Sequence, residues 1–421
     1  MKDSWKAGAA ATVITPAEPM WLAGWAARRE PASGTGIELF AKALAFEDEA
    51  GVRAVIVTAD LIAIPHLLAE AVAARVRKRW DLPRERLLFN ASHTHTGPEI
   101  RPDKVQFFEI PTEYAARIGP YVAFLEERMA GVIEAALTRL EPVTLRVHEA
   151  RAAFAVNRRT SGGPVDHDVP IVAARRPDGS LLAMLFGYAC HNLTLPPTYC
   201  QFHGDYAGVA QQRLQEQYAG AMALFLAGAG ADQDPSPRGT IELVRTHGAT
   251  LAGVIATALG SDGISLASSL AVAFEEITLE LRPMPAREAL ETDAHSEDIP
   301  RRRKANYLLG ALADGRTFAT SQRCPVQVLR LGRELLLIAL GGEPVVDFAL
   351  QFKKEFAGSK VWVAGYANDM FGYLPTRRVQ QEGGYEAERA VLWSALPMPL
   401  AESAEAQVVD AVGRLVRQVS S

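Results

Sequence analysis

Cysteine is scarce in this chain: Cys190, Cys200 and Cys324 are the only three among 421 residues. Their odd number and wide spacing fit neither a disulfide framework nor a paired-cysteine metal knuckle, so they read as free thiols in a reducing compartment. Long apolar runs are missing as well, and nothing approaches the length of a membrane span. The opening MKDSWKAGAAATVITP has no basic start leading into an apolar centre, so no secretion signal is expected. Basic residues are not gathered either. The 44 Lys and Arg stand against 49 Asp and Glu, a net charge of −5, which argues against nucleic acid as a partner. The longest basic run, Arg301-Arg302-Arg303-Lys304, reads as a solvated helix face. These absences predict a cytoplasmic protein that acts on a small molecule; a homo-oligomer stays open.

Two familiar enzyme signatures are also absent. No G-x-S-x-G occurs, which disfavours a serine hydrolase of the nucleophile-elbow type. FLAGAGADQDP offers Gly228-x-Gly230 but no third glycine at the dinucleotide spacing, and proline follows soon after. A tight loop beside a site fits that segment better.

What is present is a mixture of strand and helix patterns. Ala41–Glu47 and Arg53–Thr58 alternate around the turn Asp48–Gly51, and strand patterns recur at Pro142–Val156, Leu181–Tyr188, Ala221–Ala227, Leu270–Leu281, Pro325–Leu331 and Glu334–Leu340. Helical periodicity marks Ala69–Trp80, Thr112–Leu140, Ala207–Tyr218, Ile241–Leu259, Ile299–Asp314, Pro344–Phe356 and Leu400–Val416. Strands joined by short turns imply antiparallel pairing. The expected fold is α/β (α+β), with mixed, largely antiparallel sheets flanked by helices. No composition break divides it, so residues 1–421 read as one domain.

Candidate chemistry sits where strand patterns end. NASHTHTGPE carries His93 and His95 just past the apolar run Arg86–Phe89; on an extended chain, residues i and i+2 share one side. Paired imidazoles there suit metal binding or catalysis, although a lone histidine is more often structural. His191, in GYACHNLTL, follows Leu181–Tyr188 in the same way. In FHGDYAG, Asp205 reads as a helix N-cap and His203 as a weaker site candidate. Glu343 ends LLLIALGGE before a helix expected to open on Pro344. GYANDMFGYLPTRRVQQEGGYEAE, residues 365–388, lacks helical periodicity and reads as a polar-aromatic loop lining a site.

Taken together, VITPAEPMWLAGW, SHTHTGP, VNRR, CHNLTL with HGDYAG, GAGADQDP, GGEP and NDMFGYLPT…GGYEA resemble, in order, the catalytic domain of the neutral/alkaline (non-lysosomal) ceramidases. The likeness runs from residue 13 to residue 387. It implies a single ceramidase-like zinc hydrolase domain, with zinc held by His93, His191, Glu343 and Tyr373. It further implies catalytic roles for His95, Arg158 and Tyr385. Zinc in such a setting lowers the pKa of water to about 7, which suits attack on an amide carbonyl, while His95 and Tyr385 face the oxyanion or the leaving amine.

The chain also departs from that family. Neither a secretion signal nor a C-terminal immunoglobulin-like domain is expected of it, and Glu99, Ile100 and Arg101 stand where the family has small residues. The expected substrate is therefore a linear N-acyl amide smaller or more polar than ceramide. Trp25, Phe107, Phe108 and Tyr114 are candidates for an apolar wall, with at least two of them expected in the core. Three rival readings are a true ceramidase or N-acyl lipid amidase, a TIM-barrel amidohydrolase, and a binding module without activity. The antiparallel stretches oppose the barrel. The intact set of ligand types opposes the binding module.

Overall fold

The computed structural model describes residues 5–420. Apolar runs joined by short turns pair antiparallel, as Phe40–Glu47 with Arg53–Ala59 and Asp168–Arg175 with Leu181–Tyr188 do in the larger sheet. Its main strands are β1 (Trp5–Val13), β2 (Phe40–Glu47), β3 (Arg53–Ala59), β4 (Leu87–Ala91), β5 (Glu141–Arg151), β6 (Asp168–Arg175), β7 (Leu181–Tyr188) and β8 (Met222–Ala227). They lie in the order β4-β3-β2-β1-β5-β6-β7-β8, with the short strand Ile264–Ser265 added beside β5. A second sheet has β9 (Leu270–Glu280), β10 (Ser321–Leu331), β11 (Leu335–Leu340) and β12 (Lys360–Ala364) in sequence order. The fold is α/β, with mixed, largely antiparallel sheets flanked by helices. No helix among the described residues is long and apolar enough to cross a membrane.

Within these two sheets, three strand pairs break the antiparallel rule: β3/β4, β7/β8 and β11/β12 are parallel. A parallel partner must be reached by a crossover, here through the helices His66–Trp80, Asp205–Gln217 and Val346–Glu355. Helices and the other sheet cover these strands, which is why β4, β7 and β11 are buried at every residue and read as continuous apolar runs. Loops leaving the carboxyl ends of β4, β7 and β11 carry His93, His191 and Glu343. Ligand sites gather at such ends in open α/β sheets.

The strand ends are tied by Asn90, which is fully buried. Its Nδ2 donates to Gly365 O at 2.7 Å, and the Ala227 N–H donates to its Oδ1 at 2.9 Å. One amide thus joins the ends of β4 and β8 to the segment leaving β12. Asn90→Leu keeps the volume but strands two backbone groups. At roughly 1–3 kcal/mol for each group, urea unfolding should show a loss of about 2–6 kcal/mol. A change within about 0.5 kcal/mol, typical of a surface substitution, would count against this role.

β1, β6 and β12 are not among the strands expected from the sequence. In β1 the cause is packing. The helix Thr112–Thr138 lies so close that a Cβ at Gly8 would meet Ala136 O at 2.1 Å, so small residues replace the usual pattern. The basic run also differs from expectation. Arg301 is exposed, but Lys304 is buried and donates to Ser394 O at 2.7 Å, with its ammonium 5.5 and 5.6 Å from the ring centres of Phe107 and Tyr307.

Candidate metal centre

His93 does not continue the strand before it. Its φ is +58°, a left-handed turn, so the same-side rule for an extended pair does not apply. The two rings still meet, edge to face, with centroids 5.0 Å apart. The turn redirects His93, and the His95 backbone is pinned by its N–H to Asn192 O at 3.2 Å and by Arg28 Nη2 to its carbonyl at 2.7 Å. Gly24 leaves room for the ring: a Cβ there would sit 2.4 Å from His95 Nδ1.

Hydrogen bonds fix the tautomers of the outer histidines. His93 Nδ1 lies 2.8 Å from Ile62 O, and His191 Nδ1 lies 2.9 Å from Gly230 O. A carbonyl only accepts, so each Nδ1 carries the hydrogen and each neutral ring offers a bare Nε2. Both Nε2 atoms face Glu343 Oε2, at 3.2 and 3.4 Å. That oxygen is buried and has no hydrogen-bond partner among the described residues. Lone pairs facing one another in a buried space call for a positive charge between them. Around a tetrahedral zinc with bonds of about 2.0–2.1 Å, neighbouring ligand atoms stand about 3.3 Å apart, so the spacing fits.

Glu343 reaches this point differently from expectation. Glu343–Pro344 is a two-residue strand paired in parallel with Tyr373–Leu374, with Glu343 opposite Tyr373. The helix opens at Val346, capped by Val345, so Pro344 is not its first residue. The pairing brings the Tyr373 hydroxyl 3.5 Å from His191 Nε2, where it accepts from Arg158 Nη2 at 3.0 Å. Residues 365–388 accordingly hold more local order than a loop, including a short helix at Arg377–Glu382.

Three imidazoles, those of His93, His95 and His191, form a buried group whose ligand atoms lie within 4.8 Å of one another and could hold a metal ion. His95 differs from the other two. Neither of its ring nitrogens has a partner, and it lies edge-on to Trp25 with ring centroids 5.3 Å apart. Burial first, and then His93 and His191, hold its pKa well below the usual imidazole value. Burial likewise lowers His93, against the pull of Glu343. For Glu343, burial alone would raise the carboxyl, while positive charge at the facing imidazoles would hold it well below the usual carboxylate range. With the rings neutral, a cation among the nitrogens would supply that charge.

Arg158 binds Glu386 Oε1 at 2.8 Å and Asp234 Oδ1 at 3.3 Å, and its guanidinium carbon stands 5.6 and 5.5 Å from the ring centres of Tyr373 and Tyr385. Tyr385 is 44% exposed because its ring stands at a cavity mouth, yet dense protein surrounds it. Burial and then Glu343 push its phenol up to about 12, with Arg158 opposing.

His203 lies outside the group. Its Nδ1 accepts the Asp205 N–H at 2.9 Å, and burial lowers it to about 4. Gly204 occupies the N-cap position expected for Asp205, whose carboxylate instead ties Leu195 N and Tyr206 N. GAGADQDP is a supporting loop: besides Gly230 O, it supplies Gln233 O to the His191 N–H. Sequence reasoning missed Tyr366, which stacks on His93 at 4.3 Å with a left-handed φ of +51°. The only hint in the sequence was its place in a tyrosine-rich segment.

Two cavities of about 480 and 890 Å³ flank the group and share Gly24, His95, Phe108, Tyr373, Tyr385 and Trp393 as common wall. Trp25 and Phe108 line them. Phe107 and Tyr114 pack into a cluster with Trp21 instead.

No family profile matches the sequence, and no curated protein matches it. Solved structures do match. A ceramidase complexed with C2 superposes with a TM-score of 0.75 at 18% identity, covering 98% of this chain and 76% of that one. The neutral ceramidase from Pseudomonas aeruginosa gives 0.74 at 18% identity, covering 99% and 75%. At this identity the likeness speaks for the fold: the chain has the fold of the neutral ceramidases.

Proposed function

We propose that this chain is a zinc-dependent amidase that hydrolyses linear N-acyl amides smaller or more polar than ceramide. The observation that carries the reading is the pair of bare imidazole nitrogens, on His93 and His191, facing the unpartnered Oε2 of Glu343. In this reading those three residues hold zinc, and Tyr373 stands beside them as a further ligand. When bound, zinc supplies Lewis acidity and an activated water.

The remaining steps belong to the chain. The substrate carbonyl lies along the shared wall of the two cavities, with its acyl and amine parts in opposite arms. His95, without a competing partner, and Tyr385, still protonated near neutral pH, offer donors to the developing oxyanion. Either passes a proton to the amine as the C–N bond breaks. Arg158 holds Tyr373 and braces Tyr385. Three free cysteines support a reducing, cytoplasmic setting.

The rival reading, a true ceramidase or N-acyl lipid amidase, favours a wide apolar groove beside the metal. Here Arg101, Asp103 and Lys104 line one cavity, and Arg158, Arg159, Arg238 and Glu382 line the other. A lipid chain laid against such groups would desolvate them at a cost of several kcal/mol. The test compares kcat/KM for a short N-acyl amine and for detergent-dispersed ceramide. We expect the short amide to win by about tenfold or more, an edge of at least about 1.4 kcal/mol; a preference for ceramide would promote the rival.

A further inference from the structure

The smaller cavity, which touches His93 and Glu343, also has a wall that carries Arg101 and Lys104. Arg101 is rigidly held. Its Nε and Nη2 donate to the two oxygens of Glu99, both at 2.7 Å, and Glu99 is fully buried. Glu99 Oε1 is further occupied by the backbone N–H groups of Ile100 and Arg101. Arg101 Nη1 is left without a protein partner among the described residues, and the Arg101 charge is felt at Tyr385. A guanidinium braced on one edge and free on the other is a preorganised fork for an oxyanion.

Lys104 stands beside it. Its Nζ donates one hydrogen to Trp393 O at 2.9 Å and lies 3.9 Å from Asp103, too far for a hydrogen bond. Burial first, and then Arg101, lower its pKa to about 8, so at pH 7 it is still mostly charged. Lys304 lies behind it, its ammonium spent on Ser394 and Leu396 carbonyls. Glu99 is spent on Arg101, and Asp103 stands beside Lys104 without a hydrogen bond to it. The other acids on the cavity are engaged elsewhere: Glu386 with Arg158 and Arg159, Glu388 with Arg282, and Asp369 with the His66 N–H. Glu343, the remaining carboxylate on this cavity, faces His93 and His191, so Arg101 Nη1 and Lys104 Nζ keep donors that no carboxylate of the wall takes.

Resting on the amidase reading, we propose that the substrate is a linear N-acyl amide that also bears a carboxylate, received by Arg101 Nη1 and Lys104 Nζ. This carboxylate belongs to whichever part of the substrate, amine or acyl, enters the smaller cavity. The two sources are separable by experiment.

At pH 7, with zinc-loaded protein, kcat/KM is measured in two arms. In the first the carboxylate is on the amine side, as N-hexanoylglycine against N-hexanoylglycinamide. In the second it is on the acyl side, as the mono-N-hexylamide of adipic acid against its neutral terminal amide. Hydrogen bonds to charged groups predict a preference for the carboxylate of about 10- to 100-fold in one arm. Lys104→Met should reduce that ratio by about tenfold or more, and Lys104→Arg should retain it. Because each value is a ratio on one protein, loss of folded enzyme cancels. Calorimetric Kd values for the same pairs on zinc-free wild-type protein should show the same preference without any variant. Equal rates within both pairs, or a ratio unmoved by Lys104→Met, would overturn the proposal and leave the amidase reading standing. No hydrolysis of any of the four would overturn the amidase reading, and the proposal with it.

Discussion

Zinc content should fall to background in His191→Ala and in Glu343→Gln, and stay near the wild-type ratio in His95→Ala, while all three variants lose hydrolysis. The difference follows from how each side chain is held. His191 has its Nδ1 spent on Gly230 O, so its Nε2 has one direction and one use, and second partners of this kind are what fix a metal-binding imidazole. Glu343 is the single carboxylate those nitrogens face. His95 has no orienting hydrogen bond at either nitrogen; it rests on Gly24 and Trp25 and lines both cavities. Its ring is therefore assigned to substrate, and its removal should lower hydrolysis by about 10² or more. Losing a ligand should lower it by about 10³ or more, since the several kcal/mol of Lewis-acid stabilisation go with the metal. Metal analysis and rates on the same preparations decide the matter. Equal zinc loss in His95→Ala and His191→Ala would instead seat the ion among the three imidazoles.

Tyr385→Phe should lower kcat by about 10² with little change in KM, as expected of a donor that strengthens only as charge develops on the carbonyl oxygen. The phenol is pushed up to about 12, so near neutral pH it remains protonated and able to donate. Removing Arg158 should act in the same direction by a different route. It leaves Glu386 with Arg159 and Asp234 with Arg238 as their remaining arginine partners and removes the hydrogen bond on the Tyr373 hydroxyl. Steady-state kinetics on one short amide separate the cases. A rise in KM alone for Tyr385→Phe would make that hydroxyl a ground-state contact.

Much of this was legible from residue order alone. Helices such as Ile241–Leu259 and the strand Leu181–Tyr188 match their periodicity residue for residue, because one face or the whole length is buried and the chain says so. The strand ends pointed to His93, His191 and Glu343 for the same reason. What stayed hidden has no local signature. The left-handed turn at His93 is imposed by tertiary contacts. The pairing of Glu343 with Tyr373 joins segments that no spacing rule connects. Tyr366 stacks on His93 only because β12 runs beside β11. Lys304, within a basic run, is buried by aromatic neighbours that a one-dimensional reading leaves on separate elements.

Asn90 and the three parallel pairs have one more consequence. The candidate ligands ride on strands from both sheets and meet only when those sheets have docked. An ion bound there would bind the assembled protein and not its parts, so its free energy of binding adds to the stability of the whole and not to one loop. The arrangement is the reverse of a zinc knuckle, where the metal organises a short stretch of chain. Here the fold comes first, and metal affinity becomes a gauge of how completely two distant halves of the chain have closed.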